Sequence, residues 1–157
     1  MNTDKQKLFN FLKSQRLISL ATCTDKPWIS TVYYAVDKSF NLYFISEPET
    51  RHAHDIKKND HVACSIADTH QKVTDKKIGV QISGRAQLVE EEKLIVSILA
   101  MWNAANTGFE KIINLENMKK KVIKAKVFQI TPEYIKFFNE ELFGPEGFEE
   151  YNFKRIT

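Results

Sequence analysis

The chain has 157 residues, 43% hydrophobic and 27% charged, with a net charge of +3. That suits one domain spanning 1–157 with a substantial core. The mild basicity falls short of the concentrated positive footprint of a dedicated nucleic-acid binder. No apolar run approaches the ~20 residues of a membrane span. The opening MNTDKQKLFNFLK lacks the apolar core and cleavage site of a secretory signal. Cys23 and Cys64 sit in strand-like runs rather than in a CxxC pair. They read as buried free thiols of a reducing compartment, so the expected location is the cytoplasm.

A helix opens the chain, with Thr3 and Gln6 as a capping box and Leu8, Phe9 and Leu12 as its apolar face. Three short β-branched and aromatic runs follow: LISLATC (Leu17–Cys23), WISTVYYAV (Trp28–Val36) and NLYFIS (Asn41–Ser46). The connections TDKP and DKSF are turn-like, so the three runs predict an antiparallel meander; parallel pairing would need a long crossover. After SEPETRHAHDI and a polar, helix-compatible HDIKKND comes a fourth strand, HVACSIA (His61–Ala67). DTHQKVTDK reads as a loop. KIGVQISGRAQLV (Lys77–Val89) is a longer fifth strand, in which Gly79 and Gly84 predict bulges or sharp bending. Glu90–Asn106 predicts a helix and Phe109–Lys120 another. AKVFQITPEYIKFF (Ala125–Phe138) predicts a strand pair, or one strand broken at Thr131-Pro132. The acidic, aromatic tail carries turn signals at Gly144-Pro145 and Gly147. The sum is mainly β (α+β), with six strands and inserted helices, and favours a small antiparallel barrel over a doubly wound sheet.

The stretch SEPETRHAHDI (Ser46–Ile56) admits three readings. Ser46 and Glu49 form an S-x-x-E capping box with Pro48 in the first turn, or Thr50 is the cap with Arg51 following it. Either way, backbone N–H groups at a helix start attract anions, and an arginine fork adds charged recognition. A plain cap with an exposed arginine is the simpler reading of the pattern alone. The third reading, a metal site, rests on His52, His54, His61 and His70 lying in one region. Yet His52 and His54 are two apart and diverge on a helix, and no HExxH spacing is present, so no metal is expected.

In VYY (Val32–Tyr34) and KFF (Lys136–Phe138) strand alternation sends one aromatic of each pair into the core. Tyr33 and Tyr34 are candidates for lining a groove, because their hydroxyls can orient a ligand. Phe137 and Phe138 read as structural. The basic run KKKVIKAK (Lys119–Lys126) reads as a solvated helix end leading into an edge strand. No nucleophile elbow or activated thiol is visible, so a cofactor must bring any chemistry.

With ISLATCTDKPWISTVYYAVDKSFNLYFISEPETRHAHDIKKNDHVACSIAD as its centre, this order of elements resembles the FMN-binding split-barrel family that includes the pyridoxamine 5'-phosphate oxidases. TRHAHDI followed by IGVQISGRAQLV is most similar to its small bacterial YhbP-like branch. The resemblance implies a six-stranded antiparallel split β-barrel of Greek-key character with flanking helices. It also implies a homodimer with FMN in a groove between subunits. The implied activity is a flavin-dependent oxidoreductase, with a nicotinamide nucleotide or another small molecule as substrate. A non-catalytic ligand-binding or sensing module that holds haem or nothing is the alternative.

Carried over by position, Thr50 and Arg51 match the family's hydroxyl–basic pair at the flavin phosphate, with Ser46 nearby. Thr31, Val32, Tyr33 and Tyr34 match the ring-facing stretch of the second strand, and Gln81 matches a polar contact on the fifth. Many members also carry a basic residue early in the second strand, where this chain has Ser30 or Thr31. Its loss forfeits about 1.5–3 kcal/mol of charge-assisted hydrogen bonding. A protonated His52 is the expected partial compensation.

Overall fold

The three apolar runs behind the first helix form the expected meander in the computed structural model, which describes residues 3–153. Strand β1 (Leu17–Cys23) pairs antiparallel with β2 (Pro27–Val36), and β2 with β3 (Leu42–Ser46). After helix α2 (Arg51–Lys58), β4 (His61–Ala67) crosses to the free side of β1, a Greek-key step. Strands β5 (Ile78–Leu88) and β6 (Lys126–Asn139) extend the sheet, and β6 closes on β3. The result is a six-stranded antiparallel barrel.

Alternation builds its interior. Ile18, Leu20 and Thr22 of β1, Val62, Cys64 and Ile66 of β4, and Val80, Ile82 and Ala86 of β5 are all buried. Helix α1 (Thr3–Ser14) plugs one mouth with Leu8, Phe11 and Leu12. Phe11 packs on Phe137 at 6.0 Å between ring centroids. Helix α3 (Glu92–Ala105) lies outside the barrel. Its Ile98 and Leu99 cover Tyr43 and Val127, a second small core on the outer face of β3 and β6.

Several expectations need correction. The opening helix starts at Thr3, so its cap position falls on residue 2, outside the described residues; Gln6 donates to Asn10 Oδ1 (2.9 Å) instead of reaching back. Only Leu115–Lys119 (α4) of the predicted 109–120 helix is helical, because the Asn114 side chain accepts from Asn117 N–H and starts the helix there. Residues 125–138 are not a strand pair. β6 runs through Pro132 by means of a bulge: Ser83 faces Tyr134, Gly84 faces Pro132, and Glu133 is the extra residue. A Cβ at Gly84 would lie 2.4 Å from Thr131 O, so only glycine fits there, whereas Gly79 meets ordinary contact at 3.4 Å. The tail adds elements that the sequence marked only by turns. A helical turn, α5 (Glu140–Phe143), leads to β7 (Phe148–Asn152), which pairs with β6 beyond the barrel seam.

Candidate functional site

The barrel opens where β2 and β3 part. β3 pairs with β2 only at Tyr34–Val36, whereas β1 accompanies β2 from Pro27 to Tyr33. Tyr34 N–H donates to Arg16 O (3.1 Å), so even-numbered residues of β2 turn their backbone groups towards β1. Ile29, Thr31 and Tyr33 therefore direct theirs to an open edge. Helix α3 stands over its far end: Trp102 Nε1–H donates to Tyr33 O (3.2 Å) and Asn106 Nδ2–H to Tyr34 O (3.1 Å).

Between this edge, the end of β3 and the α3 terminus lies a groove of about 850 Å³, within the range of small-molecule sites. Thr31, Val32 and Tyr33 form one side, Ser46 and Thr50 one end, and Trp102, Asn106 and Phe109 the opposite wall. Asn106 Oδ1 is buried there without a hydrogen-bond partner in the described structure.

Helix α2 begins at Arg51 with Thr50 as its cap residue, so the Ser46–Glu49 capping box does not form. The Thr50 side chain does not cap the helix either; its hydroxyl donates to Glu47 O (2.8 Å). The first three helical amides, of Arg51, His52 and Ala53, precede the first helical bond, from His54 N–H to Thr50 O (3.1 Å). A buried carboxylate holds this helix start on the barrel. Thr22 and Thr24 hydroxyls donate to Asp55 at 2.9 and 3.0 Å. Burial opposes ionisation of Asp55, but these two bonds, with Arg51 and Lys58 nearby, hold its carboxyl below the usual range.

The sequence candidates divide into three groups. Thr31, Val32, Tyr33, Ser46 and Thr50 come together along the groove. His52 sits directly behind: its ring is buried, and Nε2 lies 2.7 Å from Ser46 Oγ and 3.1 Å from Thr50 Oγ1. Burial lowers its pKa and Asp55 partly restores it, which disfavours the protonated donor expected.

The other three lie elsewhere. Tyr34 points into the core at 1% exposure, with its hydroxyl donating to Leu12 O (2.5 Å); alternation sends it opposite to Tyr33. Arg51 leaves the groove, its guanidinium 4.5 Å from the Trp28 ring centroid and donating to Lys26 O (3.3 Å). Gln81 lies on another face, in a shallow depression with Ser19, Ser65 and Tyr134.

Sequence reasoning missed Arg16, which also lines the groove while its guanidinium donates to Lys13 O (3.0 Å) and Gln15 O (3.1 Å). It also missed Trp102, Asn106 and Phe109. Only the position of Arg16, just before β1 and therefore beside the end of β2, was a usable signal. Among the described residues no group of three or more His, Cys, Asp or Glu side chains could hold a metal. Burial pushes the Cys64 thiol up to about 12, so it is no nucleophile. Cys23 is exposed, contrary to expectation, because it ends β1 at the turn.

A closed six-stranded barrel, split on one side and flanked by helices, defines a split-barrel protein. Residues 4–139 match the family model described as pyridoxamine 5'-phosphate oxidase, and the chain belongs to that family. No curated protein matches it. Among solved structures it is similar to a putative pyridoxamine 5'-phosphate oxidase from Listeria innocua, with a TM-score of 0.66 and 21% identity over 85% of this chain and 96% of that one. It is also similar to a haem-binding protein from Mycobacterium smegmatis, with a TM-score of 0.74 and 15% identity, covering 97% of this chain but only 59% of that one. The haem storage protein HutZ from Vibrio cholerae gives a TM-score of 0.66 and 16% identity over 82% of this chain and 89% of that one. No helix among the described residues is long and apolar enough to cross a membrane.

Proposed function

We propose that this chain binds FMN in the groove at the barrel split and acts as a flavin-dependent oxidoreductase in the form of a homodimer. The observation that carries the reading is the meeting of two unlike recognition surfaces. One is the Ser46 hydroxyl beside the leading amides of α2, suited to a phosphate, with Thr50 as the cap residue of that helix. The other is the open backbone edge of β2 at Thr31 and the Tyr33 N–H, the Tyr33 carbonyl already accepting from Trp102; this edge suits the polar rim of a flat heterocycle. Trp102 and Phe109 wall the groove with apolar surface.

A bound flavin supplies two-electron chemistry at its ring. The chain's part is to anchor the phosphate, orient the ring along β2 and keep water from one face with α3. The partner copy is expected on the open face of β1, β4 and β5. There Ser19, Ala21, Ala63, Ser65 and Ser83 leave a flat, small-residue surface beside Ile29, which is 66% exposed.

Haem is the second reading, motivated by the descriptions of the Mycobacterium smegmatis and Vibrio cholerae proteins. Iron would need a ligand from the lining. Tyr33 offers a phenol, but no imidazole reaches the groove, since His52 Nε2 is held by Ser46 and Thr50. Flavin therefore fits better.

Titration of the purified chain with FMN and, separately, with haemin decides between them. FMN is expected to raise the Tm and to lose fluorescence on binding, with Ser46→Ala weakening it about tenfold or more. No Tm shift with FMN, together with a saturable haem absorbance band, would overturn the flavin reading.

A further inference from the structure

The hydroxyls of Ser46 and Thr50 and the imidazole of His52 form a set small enough for its hydrogens to be counted. Thr50 Oγ1 lies 2.8 Å from Glu47 O. A carbonyl only accepts, so the single Thr50 hydrogen is committed there. His52 Nε2 approaches the same Thr50 oxygen at 3.1 Å. With no hydrogen left on Thr50, that contact requires one on Nε2. The same nitrogen lies closer still to Ser46 Oγ, at 2.7 Å, so its N–H is shared between the two hydroxyl oxygens. Ser46 then accepts from the imidazole, and its own hydrogen remains to be placed. The Thr50 oxygen is available to it only at 3.3 Å, the longest contact of the set, while the groove lies on its other side.

We infer that His52 is a positioning residue held as the Nε2–H tautomer, which frees the Ser46 hydrogen to turn from its long contact with Thr50 Oγ1 to an anionic oxygen ligand in the groove. The opposite tautomer would accept from Ser46, present the serine lone pairs to the groove and repel a phosphate. Burial edge-on against Phe44 of β3, at 6.1 Å between centroids, favours a neutral ring and outweighs Asp55 of its own helix, which favours the charged one. Selection of the anion is therefore done by the direction of one hydroxyl, where a lysine or arginine would do it by charge. The identity of the anion as the FMN phosphate rests on the function proposed above. The tautomer does not.

The test has two arms. Long-range proton–nitrogen correlation NMR on the histidine-labelled, ligand-free chain above neutral pH, with His52 assigned by its loss in His52→Gln, reads the tautomer directly. A pyrrole-type Nε2 and a pyridine-type Nδ1 are expected, and the reverse pattern overturns the inference whatever the ligand. In the second arm inorganic phosphate and FMN are titrated into three variants. His52→Gln, whose carboxamide N–H can replace Nε2–H, is expected to keep affinity within about threefold, whereas His52→Leu and Ser46→Ala lose about tenfold. Equal loss in His52→Gln and His52→Leu, with both folded by circular dichroism, also overturns it. If phosphate binds the wild type with this variant pattern but FMN does not, the inference stands and the flavin reading fails.

Discussion

The two sides of the barrel are built from the same kind of strand and do opposite things. On the β5–β6 side the ladder continues from Ile78 to Leu88 against Asn139 to Phe128, interrupted only by the bulge at Glu133. Arg85 locks that bulge, with Nε 2.9 Å from Glu133 and Nη1 2.7 Å from Asp60. On the β2–β3 side the ladder is confined to Tyr34–Val36, and the rest of β2 keeps an edge for something other than a strand. A long ladder uses up its backbone groups, while a short one leaves them for a ligand. The sheet thus assigns rigidity to one seam and recognition to the other.

Changes on the closed seam should therefore cost stability, and changes at the split should not. The largest expected effect is that of Phe137→Ala. Phe137 is 0% exposed between Phe11 and Phe143, so truncation should cost about 3–5 kcal/mol in denaturant unfolding. Gly84→Ala comes next. Its new Cβ would press on Thr131 O in a bulge that Arg85 holds in place, and a loss of about 1–3 kcal/mol is expected by the same measurement. A neutral result for Gly84→Ala would show that the closed seam is as yielding as the split.

A smaller effect is expected from acid. The folded-state pKa of His52 is lowered, so the unfolded chain binds its proton more readily. The resulting stability is present above the unfolded value of about 6.5 and is lost as pH falls below it. Asp55, also lowered, acts in the same direction in a lower window, below about 4. Tm measured against pH should thus fall in two steps, and His52→Gln should remove the upper one. Thr31→Ala, at the open edge, is expected to change unfolding free energy by less than about 0.5 kcal/mol. A loss comparable to that of Gly84→Ala would erase the contrast between the two sides.

Strands β1 and β4 were legible to the residue because each is a short alternating run between turn signals. β6 was not. Pro132 reads as a break when the partner is unknown, and becomes tolerable where the bulge interrupts the ladder, with Pro132 opposite Gly84 and Glu133 as the extra residue. β7 was missed because FEEYN is acidic and mostly exposed; it is a strand only where β6 offers an edge. At the site, position along the chain was enough to bring Thr31, Val32, Tyr33, Ser46 and Thr50 together, since all lie on adjacent strands or the turn after them. Arg51 was misplaced because Trp28, near the start of β2, competes for its guanidinium.

What the amino-acid order determines by itself is local: alternating burial, the turns that force an antiparallel meander, and the hydroxyl-rich segment after the third strand. These depend on neighbours a few residues away, which is the range over which hydrophobic period and turn chemistry act. Only the tertiary structure decides that β2 and β3 part after three paired residues, that α3 walls the opening, and that His52 turns inward onto Ser46 and Thr50. Each of those is a competition between distant groups for the same backbone edge, apolar face or hydrogen, and it is resolved only when the barrel closes.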